Sequence, residues 1–497
     1  MRSSDVLTAD VAVVGAGPAG LAAAGEAAAA GLDVVVVDAG ARPGGQYWRH
    51  GPGAEGPAPG THGRGTFSTL RAGLGRHGVR LVCGHQVWQA GRHDDGFVLR
   101  LRPVHDFPHD DAVERVSARR LIVCTGGYDR QLPVPGWDLP GVMAAGGAQA
   151  LLKEYGTVPG QRVVVAGTGP FLVAVAAGLA EAGARVVAVC EANAPVRGWL
   201  RRPLAALGEP AKAVEAVRYA AALARHRVPY RTRTAVTRVH GDDSVRAVDL
   251  TALDHDGRPR EATRTTVPAD LVALGWGFTP SLDLLLTLGA ATRLDGDGSL
   301  VVRVDDGQRT TVPGLYAAGE TTGIAGATQA VREGLLSGLA VTADLGRAGR
   351  TGDGVDAGPS RSRRAARLRS GVRRGRRFAE ALHAACPVPA GWTAWLAGDT
   401  VVCRCEEVPF AAVCHAVREL GAEDPRTVKM LARPGMGMCQ GRVCGFATAL
   451  ITRHLTGHPS TAEALSAFGK RPLAAPVTLA ELAASDDRTA PRTAPWS

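Results

Sequence analysis

Aromatic residues make up only 5% of these 497 positions, against 64 glycines, a balance that favours close approach of helices and sheets. No apolar run is unbroken over membrane length. The nearest, Val163–Ala180, is interrupted by Gly167-Thr168-Gly169-Pro170 and reads as a strand, a turn and a helix start. The first residues show no basic segment, apolar core and cleavage site of a secretory leader, so a cytoplasmic chain is expected. Cysteines number nine, an odd count that fits reduced thiols or metal ligands better than a disulfide framework. The net charge of +10 comes from 57 basic against 47 acidic residues. Its arginines crowd into Arg361–Arg377, so the excess is local and does not mark a nucleic-acid-binding protein. Apolar content of 45% and charged content of 21% are those of a globular protein, and the length suggests about three domains.

What is present is organised around Val11–Asp38. An apolar run, Val11–Val14, meets Gly15, Gly17 and Gly20 in G-x-G-x-x-G spacing, then an alanine-rich helix, a second run Val34–Val37, and Asp38. The first glycine allows the tight turn, the second lets backbone approach a pyrophosphate, and the third lets helix pack on strand. The helix N-terminus then presents free N–H groups and a positive partial charge to phosphate, and Asp38 can accept from a ribose hydroxyl. Cys124-Thr125-Gly126-Gly127, after the short apolar strand Leu121–Val123, reads as a turn that leaves the domain beside the nucleotide. Near residue 320, Gly319 and Glu320 end a strand, and a helix starting near Ala327 follows. Such a carboxylate can bind a ribityl hydroxyl, and such a helix N-terminus can stabilise charge on a reduced flavin by about 0.3–1 kcal/mol.

A second strand–turn–helix–strand unit begins at Arg162, with Gly167 and Gly169 in the turn and Glu191 at the place of Asp38. Leu172 stands where the third glycine would be. Two readings stay open: a nicotinamide nucleotide site, or a structural repeat with a closed pocket. The polar stretch Gly346–Arg361 reads as a linker, and the Arg-rich stretch into Phe378–Ala385 as a helix with a solvated face. From about Ala474 the chain becomes Ala/Pro/Thr-rich and is expected to fray. The expected division is 1–140 and 270–345 for the first nucleotide domain and 141–269 for the second. Residues 346–395 form the linker and Arg-rich helix, 396–460 a cysteine-bearing domain, and 461–497 a tail with a disordered end.

That domain carries the most discriminating pattern. Cys403 and Cys405 are two apart, so an extended segment projects both sulfurs to one side. Cys439 and Cys444 are separated by four residues, and Cys444 falls in the first turn of a helix, where the N-terminal field favours a thiolate. Four such thiols suit a [2Fe–2S] cluster or Zn²⁺, or are a chance cluster of buried residues. Zinc knuckles usually use C-x₂₋₄-C, which fits C-x-C with C-x₄-C poorly. Cys414 reads as core, and Cys83, Cys124, Cys190 and Cys386 as isolated.

The four-cysteine spacing is similar to the bacterioferritin-associated-ferredoxin type of [2Fe–2S] domain. The units before it resemble the two-dinucleotide fold of thioredoxin reductase relatives, down to Arg42-Pro-Gly44-Gly45-Gln46. In this order the parts resemble the FAD-containing alpha subunits of heteromeric amine and imino-acid dehydrogenases, a family that includes the A-type component of opine oxidase and the B-type component of hydrogen cyanide synthase. The resemblance implies an α/β, two-dinucleotide-binding-domain (Rossmann-like) flavoprotein with a small helical [2Fe–2S] domain. It places FAD on Gly15, Gly17, Gly20, Asp38, Gly44, Gly45, Gln46, Thr125, Gly126, Gly319, Glu320 and Gln329. NAD(P) would use Gly167, Gly169 and Glu191, and the cluster Cys403, Cys405, Cys439 and Cys444. The implied partners are an amino-acid-oxidase-like flavoprotein (the beta subunit), where substrate chemistry would lie, and a small ferredoxin-like subunit. Peripheral membrane contact stays open. No disulfide-reductase thiol pair is present, after Gly45 or in the second unit, and no constellation for substrate catalysis is found in this chain. The expected role is an electron-transferring subunit; the alternative is a stand-alone NAD(P)H-dependent diaphorase or ferredoxin reductase.

Overall fold

The computed structural model of the chain describes residues 6–58, 61–94, 96–104, 113–200, 209–346 and 358–484. The first unit opens with β1 (Val6–Val14), α1 (Pro18–Ala29) and β2 (Val34–Val37). Val11–Val14 pair in parallel with Val34–Val37, and both runs are buried. Burial on both faces is why each reads as an unbroken apolar run instead of an alternation. Then come α2 (Arg64–Arg76), β3 (Arg80–Val82), the antiparallel pair β4 (His85–His93) and β5 (Gly96–Pro103), and β6 (Arg115–Val123). The strand expected at Leu121–Val123 is longer than read: its first half alternates beside β5, and only its last three residues are continuously buried.

β7 (Gly127–Asp129) leaves this unit. The second unit contains β8 (Val142–Ala144), α3 (Ala145–Tyr155), β9 (Arg162–Gly167), α4 (Phe171–Glu181), β10 (Arg185–Glu191), α5 (Pro195–Leu200), α6 (Pro210–Arg225) and β11 (Tyr230–Thr232). An antiparallel sheet of β12 (Thr234–Gly241), β13 (Val245–Ala252) and β14 (Thr265–Pro268) follows, then β15 (Leu271–Gly275). The parallel sheet runs β11-β10-β9-β15-β8. β16 (Phe278–Pro280) returns antiparallel to β7, so the outgoing and incoming chains cross between units side by side. After α7 (Asp283–Thr287), β17 (Thr292–Leu294) and β18 (Leu300–Val302), β19 (Leu315–Ala317) lies parallel to β6, and α8 (Ala327–Asp344) packs on α1. The nucleotide-facing part of the first sheet therefore runs β3-β2-β1-β6-β19.

The Arg-rich segment is α9 (Gly358–Ala385), and it keeps the expected solvated face, with Arg363, Arg367, Arg373, Arg374 and Arg377 exposed, while its other face is docked. It docks on α8, where Gly375 abuts Gln329 and Gly371 abuts Arg332, and it buries Ala379 and Ala381. Its arginines answer acids of other elements: Arg364 pairs with Glu26 of α1 at 2.7 Å, and Arg376 with Glu333 of α8 at 2.6 Å. The expected linker lies outside the described residues from 347 to 357.

The last unit holds β20 (Val401–Cys403), β21 (Val408–Pro409), α10 (Phe410–Arg418), α11 (Pro425–Ala432), α12 (Gly445–Thr456), α13 (Ala462–Gly469) and α14 (Leu479–Ala484). Its core is continuous with that of the second unit through Trp137, Trp276, Trp392 and Trp395, so the scarce aromatics gather at this junction. Fraying from Ala474 is not what the structure holds: Ala474 and Ala475 are buried, and the Ala474 N–H donates to Trp88 O at 2.8 Å. Residues 485–497 lie outside the described residues. Among the described residues no helix is long and apolar enough to cross a membrane.

Candidate functional site

The first glycine turn sits where β1 hands over to α1. Gly15 has φ +103°, and a Cβ there would lie 2.3 Å from Cys124 O; at Gly20 one would lie 1.7 Å from Gly15 O. Only glycine fits either position. Pro18 opens α1, whose first turn carries no acidic residue to compete for an anion. Asp38, at the end of β2, accepts the Ala16 N–H at 2.5 Å and the Gly40 N–H at 2.6 Å, while burial pushes its carboxyl up. The Gly44 N–H donates to Ala16 O at 2.8 Å, and Gly45 lies against Gly17, so the second glycine loop is laid on the first.

From the other side, Thr125 Oγ1 donates to Ser281 O at 2.7 Å and the Ser281 N–H to Gly126 O at 2.9 Å, pinning the two crossing strands together. Gly319 has φ +81° and rests on Ala19. Its N–H donates to Glu333 at 2.9 Å. Glu320 reaches toward Gly127, and burial, with Asp129 nearby, pushes its carboxyl up to about 7 against the pull of Arg376. The turns after β1, β2, β6 and β19 thus meet at the carboxyl end of one parallel sheet, the place where open α/β sheets take ligands.

Two residues of the expected set face elsewhere. Gln46 Oε1 accepts from Arg49 at 3.1 and 2.8 Å, in a group that also ties Arg49 and Arg42 to Glu154 of α3. Gln329 is buried under α9, donating to Glu333 at 2.8 Å and Val372 O at 3.2 Å. Sequence reasoning missed Glu333 and Arg376. Glu333 is fully buried and takes donors from Gly319, Thr322, Gln329 and Arg376, so it fastens the turn that carries Glu320. Its signal is an acid one helical turn after Gln329, on the same face as Ala330 and Ser337; nothing separates Arg376 from its neighbouring arginines.

The second turn is built alike but filled differently. A Cβ at Gly167 (φ +144°) would lie 1.8 Å from Gly275 O. Leu172 is accommodated by a later helix start: α1 begins three residues after Gly15, α4 four after Gly167, and Leu172 packs on Gly275. Glu191 is fully buried and accepts from Gly169 N at 2.7 Å, Asn193 N at 3.0 Å and Thr168 Oγ1 at 3.2 Å. The chain that leaves α9 lies across this turn. Thr168 Oγ1 is 3.1 Å from Cys386 O, and Asn193 Nδ2 donates to Pro387 O at 2.9 Å. Gly167, Gly169 and Glu191 are therefore brought together, with the chain at Cys386 and Pro387 resting on Thr168 and Asn193 beside them and Gly169 left half-exposed.

The four C-terminal cysteines meet as two pairs across the two motifs. Contact with the Cys444 thiol holds Cys403 below the ordinary thiol range, and the same contact pushes Cys444 up; Gly435 N–H also donates to Cys403 Sγ at 3.5 Å. Cys405 pairs with Cys439, and burial raises it. Cys444 is the N-cap of α12, close to its expected place. Gly437 is required where the loop passes Cys405, since a Cβ there would lie 2.4 Å from that residue's own. Among the described residues, trios of metal-ligating atoms within 4.8 Å of one another occur at Asp254, His255 and Asp256 and at Asp295, Asp297 and His383; no three cysteine sulfurs form one. Cys414 is half-buried, Cys124 and Cys190 are buried, and all nine cysteines are free.

Fold and site define a class: a two-dinucleotide-binding flavoprotein fold carrying an added cysteine-bearing domain. Residues 9–334 match the pyridine nucleotide-disulphide oxidoreductase family, and the chain belongs to it. It is 32% identical over 486 residues to the A-type component of the opine oxidase of Agrobacterium tumefaciens, covering 95% of this chain and 91% of that protein. It is 31% identical over 455 residues to the HcnB component of the hydrogen cyanide synthase of Pseudomonas aeruginosa, covering 90% and 93%. The solved L-proline dehydrogenase from P. horikoshii shares the fold, with TM-score 0.67 at 20% identity over 97% of this chain and 81% of that one. The family's domain implies FAD as cofactor.

Proposed function

We propose that this chain is the electron-transferring subunit of a heteromeric amine or imino-acid dehydrogenase, with FAD at the first glycine turn and a [2Fe–2S] cluster on Cys403, Cys405, Cys439 and Cys444. The observation that carries the reading is that Cys403, Cys405, Cys439 and Cys444 line one cavity. Four thiols around one cavity are a donor set for iron or zinc, and C-x-C with C-x₄-C fits a zinc knuckle poorly. When bound, FAD accepts two electrons and the cluster passes them singly.

The chain's own residues do the holding. Gly15, Gly17 and Gly20 admit the pyrophosphate to the α1 N-terminus, Asp38 faces the ribose, and Glu320 stands at the ribityl position. Gly44, Gly45, Thr125 and Gly126 wall the site, while Gln46 and Gln329 act through their neighbours. At the second turn, with Gly167, Gly169 and Glu191, the chain at Cys386 and Pro387 occupies Thr168 and Asn193, which supports a site without NAD(P). The names of the relatives, components of an opine oxidase and of a hydrogen cyanide synthase, support a C–N donor oxidised with the help of another chain. The proposed partner is an amino-acid-oxidase-like flavoprotein. A further one is a small ferredoxin-like subunit, and the cytoplasm is the proposed location.

The purified chain should bind flavin, iron and acid-labile sulfide, and oxidise no amine by itself. Co-purification with its partner, followed by an amine screen with an artificial acceptor, should restore turnover. Robust amine oxidation by the isolated chain, or rapid anaerobic bleaching of its flavin by NADH or NADPH, would overturn the reading.

A further inference from the structure

The loop between Cys439 and Cys444 is fastened to the first nucleotide unit through one side chain. Arg442 reaches Asp283 Oδ2 from Nε at 3.3 Å and Nη2 at 3.2 Å. It also donates from Nη1 to Cys439 O at 3.3 Å and from Nη2 to Ala474 O at 2.5 Å. A second arginine, Arg471, holds the other oxygen of Asp283 at 2.5 Å. Asp283 is the first residue of α7, two positions after Ser281, the residue that locks Thr125 and Gly126 at the crossing strands. A short path therefore runs from the crossover turn through Ser281, Asp283 and Arg442 to the carbonyl of a metal-binding cysteine.

Tyr128 lies beside this path. It follows Gly127, which abuts Glu320, and it pairs in β7 with Thr279 of β16. Tyr128 is half-buried, between Gly127 and Asp129 on the strand that carries the crossing chain. The cysteine unit is tied elsewhere too: Arg404 donates to Asp138 O at 3.2 Å and Trp137 to Val401 O at 2.6 Å, while Ala474 N–H donates to Trp88 O at 2.8 Å and Thr287 Oγ1 to Arg471 O at 3.3 Å on the first unit. The first two bear on the C-x-C motif. These come from the connection between the nucleotide units. The Arg442 tie is made to an element that abuts the first nucleotide site itself.

We propose that Asp283 and Arg442 are positioning residues that hold the Cys405–Cys439 side of the cluster toward the first nucleotide site, and that Tyr128 fills the gap through which electrons pass between them. The inference rests on the reading of the four cysteines as a [2Fe–2S] site. With both groups bound, the flavin would supply two electrons and two protons, the protons passing to water, and the cluster held by the four cysteines would take the electrons singly, an outside one-electron oxidant of the ferricenium class accepting each in turn. Asp283 serves geometry here: it fixes the loop through charge-assisted hydrogen bonds, which hold direction better than neutral ones.

The test uses the full chain loaded with FAD and iron. Asp283→Asn, Arg442→Gln, Arg442→Lys, Tyr128→Phe and Tyr128→Leu are compared for iron content, for the electron paramagnetic resonance spectrum of the reduced cluster, and for the rate of cluster reduction after photoreduction of the flavin. Arg442→Gln and Asp283→Asn should keep their iron, show an altered spectrum and slow the transfer by about tenfold, the size of effect seen for groups that orient metal ligands. Arg442→Lys should recover part of the rate, and Tyr128→Leu should slow transfer where Tyr128→Phe does not. Parental rates and spectra in all five variants overturn the inference. Should Arg442→Gln and Asp283→Asn lose their iron, Tyr128→Leu decides alone: a parental rate overturns it, a slowed one supports it. A parent chain without iron and sulfide refutes the reading of the cysteines instead, which keeps the two failures apart.

Discussion

Replacing Arg376 with methionine removes the cation beneath the Gly319–Glu320 turn while keeping much of the side chain's apolar volume. Glu333 has no solvent exposure and Arg376 is one-fifth exposed, so the pair is a buried one. Breaking such a pair by deleting one partner costs about 3–5 kcal/mol, because the remaining charge stays buried without its counter-ion. Glu333 keeps three donors, the Gly319 N–H, Thr322 Oγ1 and Gln329 Nε2, and a hydrogen bond to a charged group contributes roughly 1.5–3 kcal/mol. The lower end of the range, about 3 kcal/mol, is therefore expected. For a unit of this size, at roughly 2–4 °C per kcal/mol, Tm should fall by about 6–12 °C in differential scanning calorimetry. Flavin retention after dialysis should fall with it, since Glu333 anchors the backbone that presents Glu320. Glu333→Gln together with Arg376→Met leaves no buried charge and should recover at least half of the lost Tm. A single variant that melts with the parent, or a double variant no better than Arg376→Met alone, would refute the account of Glu333 as a buried anchor neutralised by the helix above it.

Three further outcomes follow from the same geometry. Neither NADH nor NADPH should protect the chain against thermal unfolding at millimolar concentration, and Pro387→Gly with Asn193→Ala should loosen the cover enough to change that; protection of the parent by either nucleotide contradicts a closed second turn. Glu320, raised in the fold to about 7 from an unfolded value near 4.5, binds its proton more tightly when folded, so flavin-free protein should lose stability as pH rises from about 4.5 to 7 and level off above. The effect is at most about 3 kcal/mol, and less because the side chain keeps some water contact; Glu320→Gln should flatten that slope, and an unchanged pH profile counts against it. Cys439→Ser should lower bound iron while leaving flavin content unchanged, whereas equal iron in Cys439→Ser and the parent would remove the cysteine from the ligand set.

What the sequence made legible follows from how local each signal is. Val11–Asp38 folds as read because the strand, turn, helix, strand and acid all lie within one stretch, and each glycine is enforced by a backbone atom of the same unit or the next strand. The helix from Ala327 was legible for the same reason, and so was the cysteine-bearing unit. The pairing of Cys403 with Cys444 and of Cys405 with Cys439 was not, because motif spacing says nothing about which sulfur crosses to which. The cover over the second turn was equally hidden: Thr168 and Asn193 meet residues 218 and 194 positions away, through backbone carbonyls that no side chain announces. The solvated face of the Arg-rich helix was legible from its charge; its docked face was not, because docking depends on Gly371, Gly375, Ala379 and Ala381, a weak small-residue stripe visible only beside α8.

That helix also bears on how the two nucleotide units are held. It touches α1 through Arg364 and α8 through Arg376, and Arg374 approaches Glu209 at the start of α6 at 4.0 Å. Its end then lies beside the second glycine turn. One helix thus contacts elements of both nucleotide units. If those contacts restrain one unit against the other, Arg364→Ala with Arg374→Ala should increase hydrogen exchange at the crossing strands β7 and β16 without changing bound iron, and unchanged exchange would assign the restraint to the docked apolar face alone, since exposed ion pairs contribute little.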